Sequence, residues 1–424
     1  MAEFISHHLN VFGHLKAQSH RKEILNSKPS KNLNHLLSMR KVMRYILLVF
    51  IFLYSIKATA LNPPILSKEA TISLLTCSPG DELYSLFGHS ALRVTDPKKN
   101  IDVVFNYGTF SFNEDFYYNF VMGKLNYSLS VSSMKGFVRS YQSEGRGMIE
   151  QVLNLDSTSK QALFNYLDWN NQPENREYLY DFFYDNCSSR LRDVLEISID
   201  EDRIAFQDLQ EAHNPSFRNI IDEYLIYHPW GDFGIDLGLG MPCDKIPSSY
   251  EYMFLPNKLM EAFDAATIDG KPLIKEEKTL LETNGLTYSF SMFDPIPLFW
   301  MLFGLIAIIS AIGYRKQKLY KAIDVIFFLM IGPVGALVFF LWFITDHTGT
   351  INNLNILWAW PTHLLAIPFL FFEKTRKMYW IAYGTVLLLT LLAFPFLPQM
   401  LHYAVVPLIL SGIVRAFVNV KTER

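Results

Sequence analysis

The chain has 424 residues and a formal net charge of −3, with 50% hydrophobic and only 19% charged side chains. This balance, without a basic patch on a folded segment, gives no electrostatic footprint for nucleic acid. The apolar content is high for a wholly soluble protein and gathers in two places, residues 43–60 and 296–418.

The first concentration reads as a secretory signal. Arg40, Lys41 and Arg44 form a basic region, YILLVFIFLYSI (45–56) an apolar one, and Ala58-Thr59-Ala60 a small-residue cleavage site. The apolar run is shorter than the ~20 residues needed to span a bilayer, so cleavage after Ala60 is expected. Residues 1–38 are polar and basic without apolar periodicity, which points to Met39 or Met43 as the start. Residues 1–60 are therefore set apart from the fold.

Strand signals follow from 70 to 155: TISLLTC (71–77), SALRVTD (90–96), DVVFNYGTF (102–110), LNYSLSVS (125–132) and GMIEQVLNL (147–155). Pro79-Gly80, Asp96-Pro97 and Gly123 punctuate them. Ser157 is expected to cap a helix running to about Trp169, and a second helix should begin near Asn186 with Asp185 or Asn186 as cap. From 200 to 295 the pattern is helical and loop-like, clearest in NPSFRNIIDEYL and KLMEAFDAA. The expected fold is an α+β domain with an antiparallel sheet over 61–295.

Five candidate spans follow, 296–313, 323–343, 355–372, 379–397 and 400–418, with a tail at 419–424. The joint after the first span carries Arg315, Lys316, Lys318 and Lys321, and the joint after the third carries Lys374, Arg376 and Lys377. The joints at 344–354 and 398–399 hold no Lys or Arg. The positive-inside rule then places 61–295 outside the cytoplasm, as the signal peptide also requires. A five-helix transmembrane bundle with an exported N-terminal domain is the expected topology. In the loop 345–363, Asp346, His347, Asn352, Asn353, Asn355 and His363 should cluster at the outer face, with Trp358 and Trp360 as interfacial anchors. That loop is expected either to shape a lipid entrance or to be an ordinary anchored loop.

All three cysteines, Cys77, Cys187 and Cys243, lie in the exported segment. If a disulfide forms, Cys77–Cys243 leaves Cys187 free for chemistry. Cys187 falls at a helix N-terminus, where unpaired N–H groups and the helix dipole stabilise a thiolate. Asn186 and Ser188 flank it as cap and oxyanion-binding candidates. His89 starts a strand and supplies a base, and Asn106 in the next strand is the candidate to orient it, with Asp96 and Asp185 as alternatives. Arg190 and Arg192 are candidates to grip a phosphate head group, or else to form ion pairs with Asp185 or Asp193. The aromatic runs 112–120 and 178–184 line an acyl groove or fill the core. No spacing matches a metal or nucleotide motif, so no metal and no cofactor is expected.

A strand His followed by a helical Cys resembles the permuted papain-like thiol fold of NlpC-type hydrolases and lecithin:retinol acyltransferases. More closely, CSPGDELYSLFGHSALRV, NYGTF and YDFFYDNCSSRLRD resemble the Lnb family of lipoprotein N-acyltransferases, over about residues 65–420. The resemblance implies a periplasmic domain carried on a membrane bundle in a bacterial inner membrane, with His89 and Cys187 as the catalytic pair. It also implies a phospholipid acyl donor, diacylated lipoproteins as acceptors, and a ping-pong reaction through a thioester. The rival readings are a cell-wall peptide thiol hydrolase, a phospholipase using the same pair, and a non-enzymatic envelope scaffold.

Overall fold

The computed structural model describes Met39, Met43–Tyr45 and residues 63–422 apart from 111–114, 210–213, 284 and 286. The leader and signal peptide expected over 1–60 otherwise lie outside the described residues.

Six strands open the fold: β1 (Thr71–Cys77), β2 (His89–Asp96), β3 (Ile101–Thr109), β4 (Asn126–Ser133), β5 (Met148–Leu153) and β6 (Glu177–Leu179). Between them run α1 (Phe116–Val121), α2 (Met134–Ser143) and α3 (Ser157–Asn170), and α4 (Cys187–Ile199) follows. A small sheet of β7 (Ile204–Ala205), β8 (Thr267–Ile268) and β9 (Lys271–Pro272) precedes β10 (Ile274–Leu281). The main sheet is antiparallel with order β10-β5-β1-β2-β3-β4-β6.

The period of two along the central strands explains the layering. Ile72 and Leu74, Leu92 and Val94, and Phe105 and Tyr107 join Leu163, Leu167, Leu191 and Leu195 of α3 and α4 in one core. Leu75, Cys77, Ala91 and Val104 join a second cluster with Met134 and Phe137 of α2. Strands covered on both sides cannot show a clean polar alternation. The helix α2 therefore sits inside a stretch expected to be mainly strand. The expected helical character of 200–295 also needs correction, because β10 pairs with β5 there. Its exposed Glu276, Glu277 and Lys278 suit a sheet edge. The cap of α3 is Asp156, which accepts from the Ser159 N–H at 2.7 Å, one residue before the expected Ser157.

Helices α5 (Phe217–Leu225), α6 (Pro229–Gly238) and α7 (Pro256–Ala265) lead to the C-terminal bundle. The bundle holds α8 (Pro295–Arg315), α9 (Lys321–Phe343), α10 (Thr362–Ala366), α11 (Glu373–Ala393) and α12 (Val405–Lys421). Among the described residues, four stretches are long and apolar enough to cross a membrane: Pro295–Arg315, Lys321–Phe343, Thr348–Phe371 and Glu373–Phe396. The third is not one helix but α10 between two 3₁₀ turns, Leu354–Leu357 and Ile367–Phe371. The segment expected as the fifth span is α12, of 17 residues, reaching to Lys421 rather than ending at 418. At 1.5 Å per residue it is about 26 Å long, and it carries Arg415 buried against Asp324 at 2.8 Å.

The joints without Lys or Arg are the ones that meet the N-terminal domain. Asp346 N–H donates to Met122 O (2.9 Å), Gly240 N–H to Gly349 O (2.8 Å), and Met400 N–H to Asp244 Oδ1 (2.9 Å). Asn353 and Asn355 donate to the Leu237 and Asp236 carbonyls at 2.9 and 3.1 Å, satisfying the end of α6. Phe233 of α6 packs into the bundle core beside Phe299. The polar loop therefore divides. Asp346 and His347 stay at the domain junction, whereas His363 is fully buried, stacked on Phe328 with centroids 4.2 Å apart. Trp358 is buried too, donating to Asn355 Oδ1 at 2.8 Å, and is no interfacial anchor.

Candidate active site

Sequence positions 89, 106 and 187 meet at one end of the sheet. The β2–β3 register sets Leu92 opposite Phe105, which carries His89 level with Gly108 and diagonal to Asn106. His89 Nε2 lies 2.5 Å from Asn106 Oδ1. An amide oxygen only accepts, so this bond places the proton on Nε2 and leaves the Nδ1 lone pair for the thiol. The imidazole also hydrogen-bonds the Cys187 thiol.

Cys187 is the first residue of α4, and its surroundings follow from the cap. Asn186 Oδ1 accepts from the N–H groups of Ser188 (2.7 Å) and Ser189 (3.0 Å), while Ser189 Oγ accepts from Asn186 N–H (2.8 Å). The Asn186 amide donates to the carbonyls of Phe182 (2.6 Å) and Phe254 (2.7 Å), tying the helix start to the core. Asn186 is thus fully committed as the cap. The Ser188 N–H is committed with it, which leaves the Cys187 N–H as a first-turn donor that the cap does not take. The Ser188 hydroxyl lies 3.9 Å from the Cys187 sulfur and 3.2 Å from Ser90 Oγ.

The electrostatics move the two groups in opposite senses, the thiol down and the imidazole up. Burial alone would raise the Cys187 thiol. The charge and hydrogen bond of His89, the Ser90 N–H and the Ser188 hydroxyl outweigh it and hold the thiol below its ordinary range. Burial pulls His89 down, but Cys187 and Asn106 leave it raised. Burial pushes both Cys77 and Cys243 up to about 12. All three thiols are free, so the Cys77–Cys243 disulfide considered from sequence is not formed. The two sit in different apolar clusters, Cys77 under α2 as the cross-strand partner of His89 and Cys243 beside Phe217. Iodoacetamide is therefore expected to alkylate Cys187 selectively. The rate should climb with pH through a midpoint below that of an ordinary thiol. Peptide mapping across pH checks both points, and preferential labelling of Cys77 or Cys243 would contradict them.

Gly108 is the site residue that sequence reading left without a role. Its φ of +88° is a conformation that glycine adopts freely, and a Cβ there would lie 3.7 Å from both Cys187 Cβ and His89 Cε1. A glycine inside a strand signals such a close approach.

The remaining candidates lie elsewhere. Arg190 pairs with Asp185 (2.8 Å) and covers the Tyr178 ring at 3.6 Å. Arg192 is bonded to Asp193 (2.8 Å) and to Tyr250 O (2.5 Å), with its guanidinium 3.4 Å from the Tyr250 ring centroid. Neither is presented as a free head-group ligand, because each is neutralised by a neighbouring carboxylate. Asp96 is engaged with Ser67 at the far end of β2. Among the described residues, Asp222, Asp232 and Asp236 have carboxylate oxygens within 4.8 Å of one another. Arg218 pairs with Asp236 at 2.6 Å, and His402 Nε2 lies 3.2 Å from Asp232.

A cavity of about 710 Å³ opens at the junction between the two domains. Phe87, Leu179, Tyr180, Phe182, Ile221 and Leu239 supply its apolar wall, and Asp346–Thr350 from the bundle supply its floor. Phe87 stands two residues before His89, and Phe182 shares its carbonyl with Asn186. The aromatic run 178–184 thus serves both readings given to it: Tyr178 belongs to the core and Leu179–Phe183 line the cavity.

Residues 65–222 match the family model described as the Lnb N-terminal periplasmic domain, and residues 287–424 match the Lnb transmembrane domain. No curated protein and no solved structure matches the chain.

Proposed function

The chain belongs to the Lnb family, and from that premise we propose that it is a membrane-bound lipoprotein N-acyltransferase. In this reading an acyl chain passes from a phospholipid, through a thioester on Cys187, to the α-amine of a diacylglyceryl-cysteine lipoprotein. The observation that carries the proposal is the His89–Cys187 pair, whose neighbours Phe87 and Phe182 line an apolar cavity floored by the membrane bundle. A cell-wall peptide hydrolase would have no use for such a floor.

The thiolate attacks the ester carbonyl, and the Cys187 N–H at the start of α4 receives the developing oxyanion. His89, protonated at Nδ1, then gives its proton to the departing lysophospholipid oxygen, leaving the acyl group on sulfur. The lipoprotein amine attacks the thioester, His89 removes its proton, and the thiolate leaves. Asn106 keeps the imidazole in the tautomer that both halves require.

The test is a mass-spectrometric assay of purified protein in detergent with a phospholipid and a synthetic diacylglyceryl-cysteine peptide. N-acylated peptide and lysophospholipid should appear together. Lysophospholipid with free fatty acid and no acylated peptide would make the protein a lipase instead. A finer prediction concerns Asn106→Ala, which should lower kcat by roughly 10²-fold, the range of a misplaced general base. The thermal midpoint should stay near that of the wild type. An unchanged kcat would remove Asn106 from the machinery.

A further inference from the structure

Helix α1, FYYNFV, has no buried residue. Tyr117 is 71% exposed, Tyr118 64%, and Phe120 and Val121 48% each. Water is a poor medium for such a row, and an exposed aromatic patch marks a contact surface. Its position says what covers it.

The end of α1 is fastened to the outer end of a membrane helix. Asp346 N–H donates to Met122 O at 2.9 Å, only three residues beyond the last residue of α9, Phe343. Gly123, at φ +78°, lies so close that a Cβ would stand 2.7 Å from His347 N. Lys124, more than half exposed, is 3.9 Å from Asp346. An aromatic helix held at that height, with a cation beside it, has the composition of a membrane-interface element.

The same helix leads inward. Phe120 stacks on Phe116 (5.9 Å), Phe116 on Phe110 (5.1 Å), Phe110 contacts Tyr127 (5.2 Å), and Tyr127 stacks on Tyr180 (4.4 Å). Tyr180 lines the junction cavity, as do Asn119, Gly123 and Lys124. The aromatic series therefore runs from the exposed face to the wall of the cavity.

We propose that α1 is a lipid-side lip that lies in the outer-leaflet interface and delivers phospholipid acyl chains along this aromatic series to the cavity. The delivery half rests on the acyltransferase reading; the contact with lipid does not. The occupant of the exposed face is the bilayer itself, because the face is continuous with the outer end of α9.

The experiment places the photoreactive amino acid benzoylphenylalanine at position 118, 120 or 98 of the full chain in phospholipid nanodiscs. Position 98 lies in the β2–β3 turn, at the opposite end of the sheet from His89 and about 25 Å away along the strand. Phospholipid adducts are expected from 118 and 120 and none from 98. A lack of lipid adducts at both, or equal adducts at 98, overturns the lip, as does crosslinking of 118 and 120 to protein only. In the second arm, Tyr118→Asp with Phe120→Asp should lower kcat/KM on vesicle phospholipid by ~10-fold, with Cys187 alkylation unchanged. Adducts together with undiminished transfer would overturn delivery. Absence of transfer in the wild type would strike the acyltransferase reading alone, since the adducts need no turnover.

Discussion

Cys187→Ser is expected to abolish acyl transfer, with a loss of at least ~10⁴-fold, because the nucleophile and its base act as a unit. The hydroxyl has no accessible anion at neutral pH. The arrangement that depresses the thiol, His89 together with the Ser90 N–H and the Ser188 hydroxyl, falls far short of ionising an alcohol. His89→Ala should cost nearly as much, and the double variant little more than either single one, as expected for one catalytic unit. The decisive readout is intact mass after incubation with phospholipid alone. Wild type should gain one acyl group in a bond labile to hydroxylamine, and both single variants should gain none. An acyl adduct persisting on Cys187→Ser, or one that maps to Cys77 or Cys243, would end the assignment of Cys187.

Much of this site was legible in the sequence because it rests on local rules. An Asn before an apolar helical stretch is a cap, and Cys187 at the first position of α4 follows directly from it. The partnership of His89 with Asn106 was legible because adjacent antiparallel strands bring diagonal residues together. What escaped notice depends on long-range packing. Arg190 and Arg192 look like head-group ligands until Tyr178, Tyr250 and their carboxylate partners take them. β10 carries too many charges to announce itself as a strand and pairs with β5 from more than a hundred residues away. The third span looks continuous in hydropathy, yet Pro361 and Pro368 lie within it, and its backbone is divided between 3₁₀ and α turns. The docking of α6 on the bundle was also hidden, since Asn353 and Asn355 meet the end of α6 only after both domains have folded.

That docking leads to the second large effect. Arg218 of α5 is fully buried and donates to Asp236 Oδ1 (2.6 Å), to both oxygens of Asp244 (3.0 and 3.1 Å), and to the Leu239 and Gly240 carbonyls (3.2 Å each). Asp244 in turn accepts from Met400 N–H, so one guanidinium joins α5, α6 and a loop of the bundle. Arg218→Ala leaves buried carboxylates without their cation and should cost about 3–5 kcal/mol. The loss should depend on pH. Burial, and then Asp236 and Asp232, push the Asp222 carboxyl up to about 8, and burial raises Asp236 even with Arg218 beside it. Carboxyls raised in the folded state hold protons that the unfolded chain has released, so stability here falls as pH rises from ~4 towards 8. Without Arg218 the repulsion among Asp222, Asp232 and Asp236 loses the guanidinium that offsets it. The variant should therefore unfold more readily at pH 8 than at pH 5, and adding Asp236→Asn should restore part of the loss at pH 8. Denaturation of the detergent-solubilised variants at the two pH values decides the matter: an equal loss at both would show that the carboxylates are not what Arg218 restrains.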